Sequence, residues 1–267
     1  MKMKSVAAAI ASLGLVAAVS TPAHALEVLD GWELETTTGS TDNIGRLNLV
    51  SGTATVEQEV DGTGNVFVGA AFAESGTIYS ISYTEENVVG AGDTGAPQLL
   101  HTMLTISFFD VVGEVTALNA TGGFEYTFTS GTFNISAAGG GTATGSIIGI
   151  GGNAASTDIV GGINGDSTIL ATILSTTDIF NIYDSGGVLL NAGFASGAYL
   201  FEAVTNNNLT DLLGTGACTF DAQATCLTFS VASAGDAYIV QVPEPATLGL
   251  IGLGLLGMGF AARKRKA

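Results

Sequence analysis

Cys218 and Cys226 are the only two cysteines in the chain of 267 residues. In an exported chain an even pair at this spacing reads as a disulfide. The spacing suits a hairpin centred near Ala222, with the two residues facing each other across the strands. A ring of about nine residues would contribute about 2.5 kcal/mol in the chain-entropy description. A metal site or a redox pair is the other use for two thiols. No further Cys or His ligands accompany them, and a C-x-x-C spacing is absent. Of the two histidines, His24 falls in a segment read below as a removable leader. A Ser-His-Asp or Cys-His device would therefore have to use His101. His101 opens the apolar run 101–109, which fits a structural histidine at a strand end. Glycosidases need two carboxylates roughly 5–10 Å apart, and a chain this acidic meets that condition trivially. Nothing singles out a pair; Glu85 and Glu86 are adjacent and would point to opposite faces of a strand. No catalytic residue is nominated, and the chain is read as a non-enzyme.

Glycine-rich motifs add little chemistry. Gly149-Ile150-Gly151-Gly152-Asn153-Ala154 fits a dinucleotide fingerprint loosely, but no helix is expected after it. Gly161-Gly162-Ile163-Asn164-Gly165-Asp166 is a single, imperfect likeness of a calcium-binding nonapeptide. Calcium is the one cofactor left open, with no metal ligands nameable, and ordinary turn chemistry is the default.

Charge narrows the partners. All 24 acidic residues lie between Glu27 and Glu244, and Arg46 is the one basic residue in that interval. Setting Glu244 aside, 23 acids face one base, a formal charge of −22 for residues 26–242. Nucleic-acid binding needs many Lys and Arg side chains to displace counterions, so it is excluded. Anionic membranes and acidic polymers are disfavoured by the same field. Divalent cations, cationic surfaces and neutral sugars remain. Arg46 is expected to pair with an acid or lie at the surface.

The elements that must carry these residues are strands. Phe124, Tyr126 and Phe128 alternate with Glu125 and Thr127, and Phe133 and Ile135 with Thr132 and Asn134. Tyr79, Ile81 and Tyr83 alternate with Ser80 and Ser82. Leu104, Ile106 and Phe108 alternate with Thr105 and Ser107, and Leu227, Phe229 and Val231 with Thr228 and Ser230. Ala54, Val56 and Val60 oppose Thr53, Thr55, Glu57 and Glu59. Period-two patterns of this kind are half-buried strands. Turns are expected at Asp61-Gly62, Ser75-Gly76, Gly122-Gly123 and Ser185-Gly186. One short helical turn is expected over 207–213. Residues 139–167 read as a long loop or several flat strands. The expected fold is all-β, an antiparallel β-sandwich or jelly-roll-like single domain over 26–242, flanked by an N-terminal signal helix and a C-terminal transmembrane helix.

Residues 1–25 form a secretory leader by pattern. Lys2 and Lys4 supply the positive start, 6–19 the apolar stretch, and Ala23-His24-Ala25 the small-x-small site, so signal peptidase cleavage is expected after Ala25. At the other end, 246–262 are all apolar or small, about 25 Å as a helix and the lower limit for a bilayer. Arg263, Lys264, Arg265 and Lys266 follow and would stay cytoplasmic.

Val242-Pro243-Glu244-Pro245-Ala246-Thr247, then the Leu/Gly-rich span, then the basic end, resembles the PEP-CTERM sorting signal over 243–267. That resemblance implies recognition at Pro243, Glu244 and Pro245 by an exosortase and transient membrane insertion of a precursor in the inner membrane. It further implies tail removal and delivery to the cell surface or exterior of a Gram-negative, exopolysaccharide-making host. The expectation that follows is a non-catalytic surface or extracellular-matrix protein, associated with exopolysaccharide in biofilm. The alternatives are a carbohydrate-, calcium- or ice-binding module, or a secreted hydrolase. Ice binding would need a flat, regular Thr array, and the threonines are not evenly repeated in sequence.

Overall fold

Alternating apolar and hydroxyl-bearing side chains draw most of the chain into long antiparallel strands. The computed structural model describes residues 26–85, 96–120, 122–155 and 164–242. The expected leader with Ala23 and Ala25 lies outside the described residues. So do the tail with Pro243, Glu244 and Pro245, the basic Arg263, Lys264, Arg265 and Lys266, and also Glu86, Gly161 and Gly162. The strands are β1 (Glu27–Val28), β2 (Trp32–Thr36), β3 (Gly39–Val60), β4 (Ala71–Glu85), β5 (Gln98–Leu118), β6 (Phe124–Ala137), β7 (Thr142–Gly149), β8 (Gly151–Ala154), β9 (Asn164–Thr177), β10 (Phe180–Tyr183), β11 (Tyr199–Ala217) and β12 (Thr225–Gln241). One short helix, α1 (Asn191–Ser196), precedes β11.

Consecutive long strands pair with one another, and β12 pairs with both β11 and β3. The β12–β3 ladder runs from Thr225 opposite Val60 to Ala237 opposite Leu47. This seam closes the sheet on itself. β7 and β8 form one wall strand between β6 and β9, β7 on the upper half and β8 on the lower. They meet at Ile150, whose φ of 74° is a strained setting for a β-branched residue. The result is a meander barrel with an eight-stranded wall. The expected all-β, antiparallel class holds. A sandwich or jelly roll would separate two sheets and need Greek-key crossovers; here neighbouring strands in sequence are neighbours in space, and closure joins the last to the first.

Both barrel ends are filled from the same chain. At the upper end β10 adds to β2 and β2 to the start of β3. Trp32, Leu34, Phe180, Ile182 and Phe194 from this cap are all buried. Phe194 stacks on Phe201 of β11 at 5.3 Å, and Trp32 meets Phe201 edge-on at 6.4 Å. At the lower end the β3–β4 loop folds inward and buries Val66 and Ala70 with Val56, Val115, Phe124 and Phe229. That loop starts with the expected Asp61-Gly62 turn. The Asp61 carboxylate accepts from the backbone N–H of Thr63 (2.8 Å) and of Asn65 (3.0 Å), and from the Thr63 hydroxyl (2.7 Å). These bonds hold its pKa below the ordinary value.

Several local expectations are corrected. Residues 207–213 are not helical; they continue β11, with Asn207 inward and Asn206 and Asn208 outward in period two. The helix is α1, which stops at Gly197 with φ 77°. Ser75-Gly76 is no turn, since β4 runs straight through it. Tyr83 is buried as its alternation predicts, but before it the alternation inverts. Ser80 is buried, while Ile81 is 44 % exposed. A register shift lies between Ser80 and Ser82, and Ile81 has no partner on either neighbouring strand. One unpaired residue flips the parity of everything before it. Of the two readings for 139–167, the described part forms strands, β7, β8 and the start of β9, after a Gly-rich turn.

Candidate ligand cavity inside the barrel

The inward side chains, aliphatic residues interspersed with rings such as Phe72, Phe108, Phe133 and Phe201, do not fill the barrel completely. Two adjoining chambers remain, of about 100 Å³ and about 60 Å³. The larger is lined from all the wall strands except the short β8, by side chains such as Leu49, Ile78, Phe108, Ile135, Ile169 and Ala203. The smaller lies toward the lower end between Val56, Phe72, Phe124, Tyr126 and Phe229. Glu74 of β4 and Asn207 of β11 line both.

Polar groups converge at that junction. The Ser233 hydroxyl donates to Asn207 Oδ1 at 2.5 Å, and Asn207 Nδ2 donates to Ser167 Oγ at 2.6 Å. Ser167 Oγ and the Tyr126 hydroxyl are 2.7 Å apart. This chain joins β12, β11, β9 and β6, and each member satisfies its neighbour. Burial, reinforced by the nearby Glu74 charge, pushes the Tyr126 phenol up to about 12. Gln58, also lining the smaller chamber, donates to the carbonyls of Glu59 and Ala71.

Glu74 differs from the rest. Its position in β4 follows the inward row of Phe72, and its surface accessibility is partial. The side chain borders both chambers, whose apolar lining desolvates it. Among the described residues no hydrogen bond or ion pair to its carboxylate is formed. Desolvation alone pushes its pKa up to about 7.

The residues singled out in sequence lie elsewhere. Cys218 and Cys226 are bridged, with Cα atoms 5.0 Å apart and both side chains buried. They are not register partners: Cys226 opposes Gly216, and the Cys218 N–H donates to Ala224 O, so the bridge is diagonal across the hairpin mouth. His101 sits between two hydroxyls, Thr36 Oγ1 on Nε2 (2.8 Å) and Thr41 Oγ1 on Nδ1 (2.6 Å), and ties the cap to β5. Burial lowers its pKa. The Arg46 guanidinium lies 3.6 Å from Asp236 on the adjacent strand. Gly149 to Ala154 is the β7–β8 joint, and Asp166 accepts from Asn206 Nδ2 at 2.8 Å. Among the described residues no three His, Cys, Asp or Glu side chains gather to hold a metal.

Sequence reading missed Glu74, Ser167, Asn207 and Ser233. The signal was present in β4: with Gly76 taken as a strand residue, Phe72, Glu74, Ile78 and Ser80 share one face, and an acid on the inner face of a strand is the anomaly to notice.

The outer wall is the reverse of the lumen. Register aligns Tyr79, Thr105, Ser136, Thr142 and Thr177 across five strands, with Thr77, Ser107, Asn134, Thr144 and Ser175 in the next row. These rows put hydroxyl and amide groups outside, while Phe109, Ile148, Leu174 and Val204 also stand exposed on the wall strands. Among the described residues no helix is long and apolar enough to cross a membrane.

Comparison with known protein families matches the PEP-CTERM protein-sorting motif over residues 241–266. No curated protein and no solved structure matches the chain. The motif marks an exported protein handled by an exosortase system and delivered to the cell surface. The match starts at Gln241, the last residue of β12.

Proposed function

We propose that the chain is a non-catalytic protein of the cell surface or extracellular matrix, delivered by the exosortase route and associated there with a neutral exopolysaccharide. The sorting motif on the end of β12 carries this reading. Two features support it. The disulfide suits an oxidising compartment. The outer wall offers rows of hydroxyl and amide groups with hardly a cation, which suits uncharged sugars and not acidic ones. Processing at Ala25 and removal of the tail beyond Val242 belong to the same proposal. Intact-mass analysis of the protein from wild-type and exosortase-deficient cells tests it. The expected result is loss of both end segments in the wild type and retention of the tail in the deficient strain. Recovery from the cytosol with both ends whole would refute the reading.

A second reading is favoured by the lumen: the barrel is a binding module, since apolar cavities with a few convergent polar groups are the usual form of small-molecule sites.

A further inference from the structure

We propose that the barrel lumen binds a small apolar molecule bearing a cationic amine, its hydrocarbon body in the larger chamber and its ammonium group against Glu74. This deepens the binding-module reading, on which it rests.

Three observations carry the ligand class. The first is size. A cavity of roughly 150 Å³ lined by aliphatic and aromatic side chains holds a benzene ring. The adjoining chambers of about 100 Å³ and about 60 Å³ therefore suit one ring or a short alkyl group with a small polar head. The second is the asymmetry of the polar groups. Ser233, Asn207, Ser167 and Tyr126 consume their hydrogen bonds on one another. Glu74 has none, so the group left to meet a guest is an acceptor. A desolvated carboxylate beside hydrocarbon is costly unless a donor or a cation reaches it. The third is the field. A formal charge of −22 over residues 26–242 draws cations toward the barrel and repels anions. A carboxylic-acid guest, the other common occupant for an apolar lumen, would bring a second acid against Glu74. A neutral guest of the same shape would leave Glu74 unpaired.

The test is calorimetric titration of the natively processed protein with benzylamine, benzyl alcohol and phenylacetate, three probes of similar bulk and different charge. Benzylamine is expected to bind at least tenfold more tightly than benzyl alcohol, with phenylacetate weakest. Glu74→Gln keeps the side-chain shape and is expected to erase the preference for benzylamine while leaving benzyl alcohol within threefold. Ala203→Leu fills the larger chamber and is expected to weaken every probe at least tenfold. Equal binding of benzylamine and benzyl alcohol by the unaltered protein would overturn the amine assignment and leave the lumen as a binding site. Failure of all three probes to bind would overturn the binding-module reading with it.

Discussion

At the scale of single residues, Glu74 and His101 pull stability in opposite directions as pH changes. The folded state raises the Glu74 pKa from an ordinary 4.5 to about 7. Between those values the folded protein holds a proton that the unfolded chain releases. The stabilisation is therefore complete below about pH 4.5 and is lost as pH rises through 7. The loss is up to about 3 kcal/mol, taking about 1.4 kcal/mol per unit. His101 has its pKa lowered by burial, so its contribution is present at high pH and is lost as pH falls below its unfolded value. Urea unfolding from pH 5 to 8 is expected to show a wild-type decline that Glu74→Gln removes, exposing the opposite His101 slope. His101→Ala should cost roughly 1–3 kcal/mol at pH 7.5, since it leaves Thr36 and Thr41 without their shared partner; the urea midpoint measures this. Neither effect was readable from sequence. A glutamate among Ala73, Ser75 and Gly76 looks like a surface turn until β4 is known to pass through it.

At the scale of elements, alternation told the truth wherever the strand was regular and misled where it was not. Leu104, Ile106 and Phe108, and Leu227, Phe229 and Val231, face inward as their pattern demands. Tyr79 and Ile81 do not, although Tyr83 does, because the unpaired Ile81 changes parity between them, and nothing local in sequence announces a bulge. Glycines inside strands can mark places where two strands approach too closely for a side chain. Gly113 in β5 is one: a Cβ there would stand 2.1 Å from Thr127 O and 2.4 Å from the Phe72 ring. Gly113→Ala is expected to lower stability by roughly 1–3 kcal/mol through overpacking, read as a shift in thermal midpoint. The Cys218–Cys226 bridge was legible from composition, its diagonal placement was not. Replacing both cysteines with serine should lower stability by about 2.5 kcal/mol, and thiol titration of the unaltered, denatured protein should find no free sulfhydryl.

At the scale of the whole molecule, the primary structure carried the acidity in its composition, the sorting route in its tail motif and the all-β class in its period-two alternation. It could not give closure, because the β12–β3 contact joins segments about 170 residues apart and leaves no periodic trace. Nor could it give the cavity, which is a shortfall of volume summed over the whole wall and belongs to no single strand. The scarcity of basic residues makes a direct test of the folded unit. Arg46 is the one trypsin site between Lys4 and Arg263. It lies inside β3 and pairs with Asp236. Native protein is therefore expected to resist trypsin there, while reduced, urea-unfolded protein is cut into two large fragments separable by mass. The negative surface also keeps copies apart, and divalent cations screen it. Light scattering is expected to rise across a calcium titration and also across a sodium chloride titration of equal ionic strength.

The β12–β3 seam has a bearing on biogenesis. The strand that shuts the barrel is the last to emerge, so a nascent chain halted before residue 225 leaves β3 and β11 with bare hydrogen-bonding edges. Edges of that kind invite aggregation and proteolysis. Since the sorting peptide is attached to the same final strand, any polypeptide able to present that label to its protease has already been synthesised far enough to seal itself.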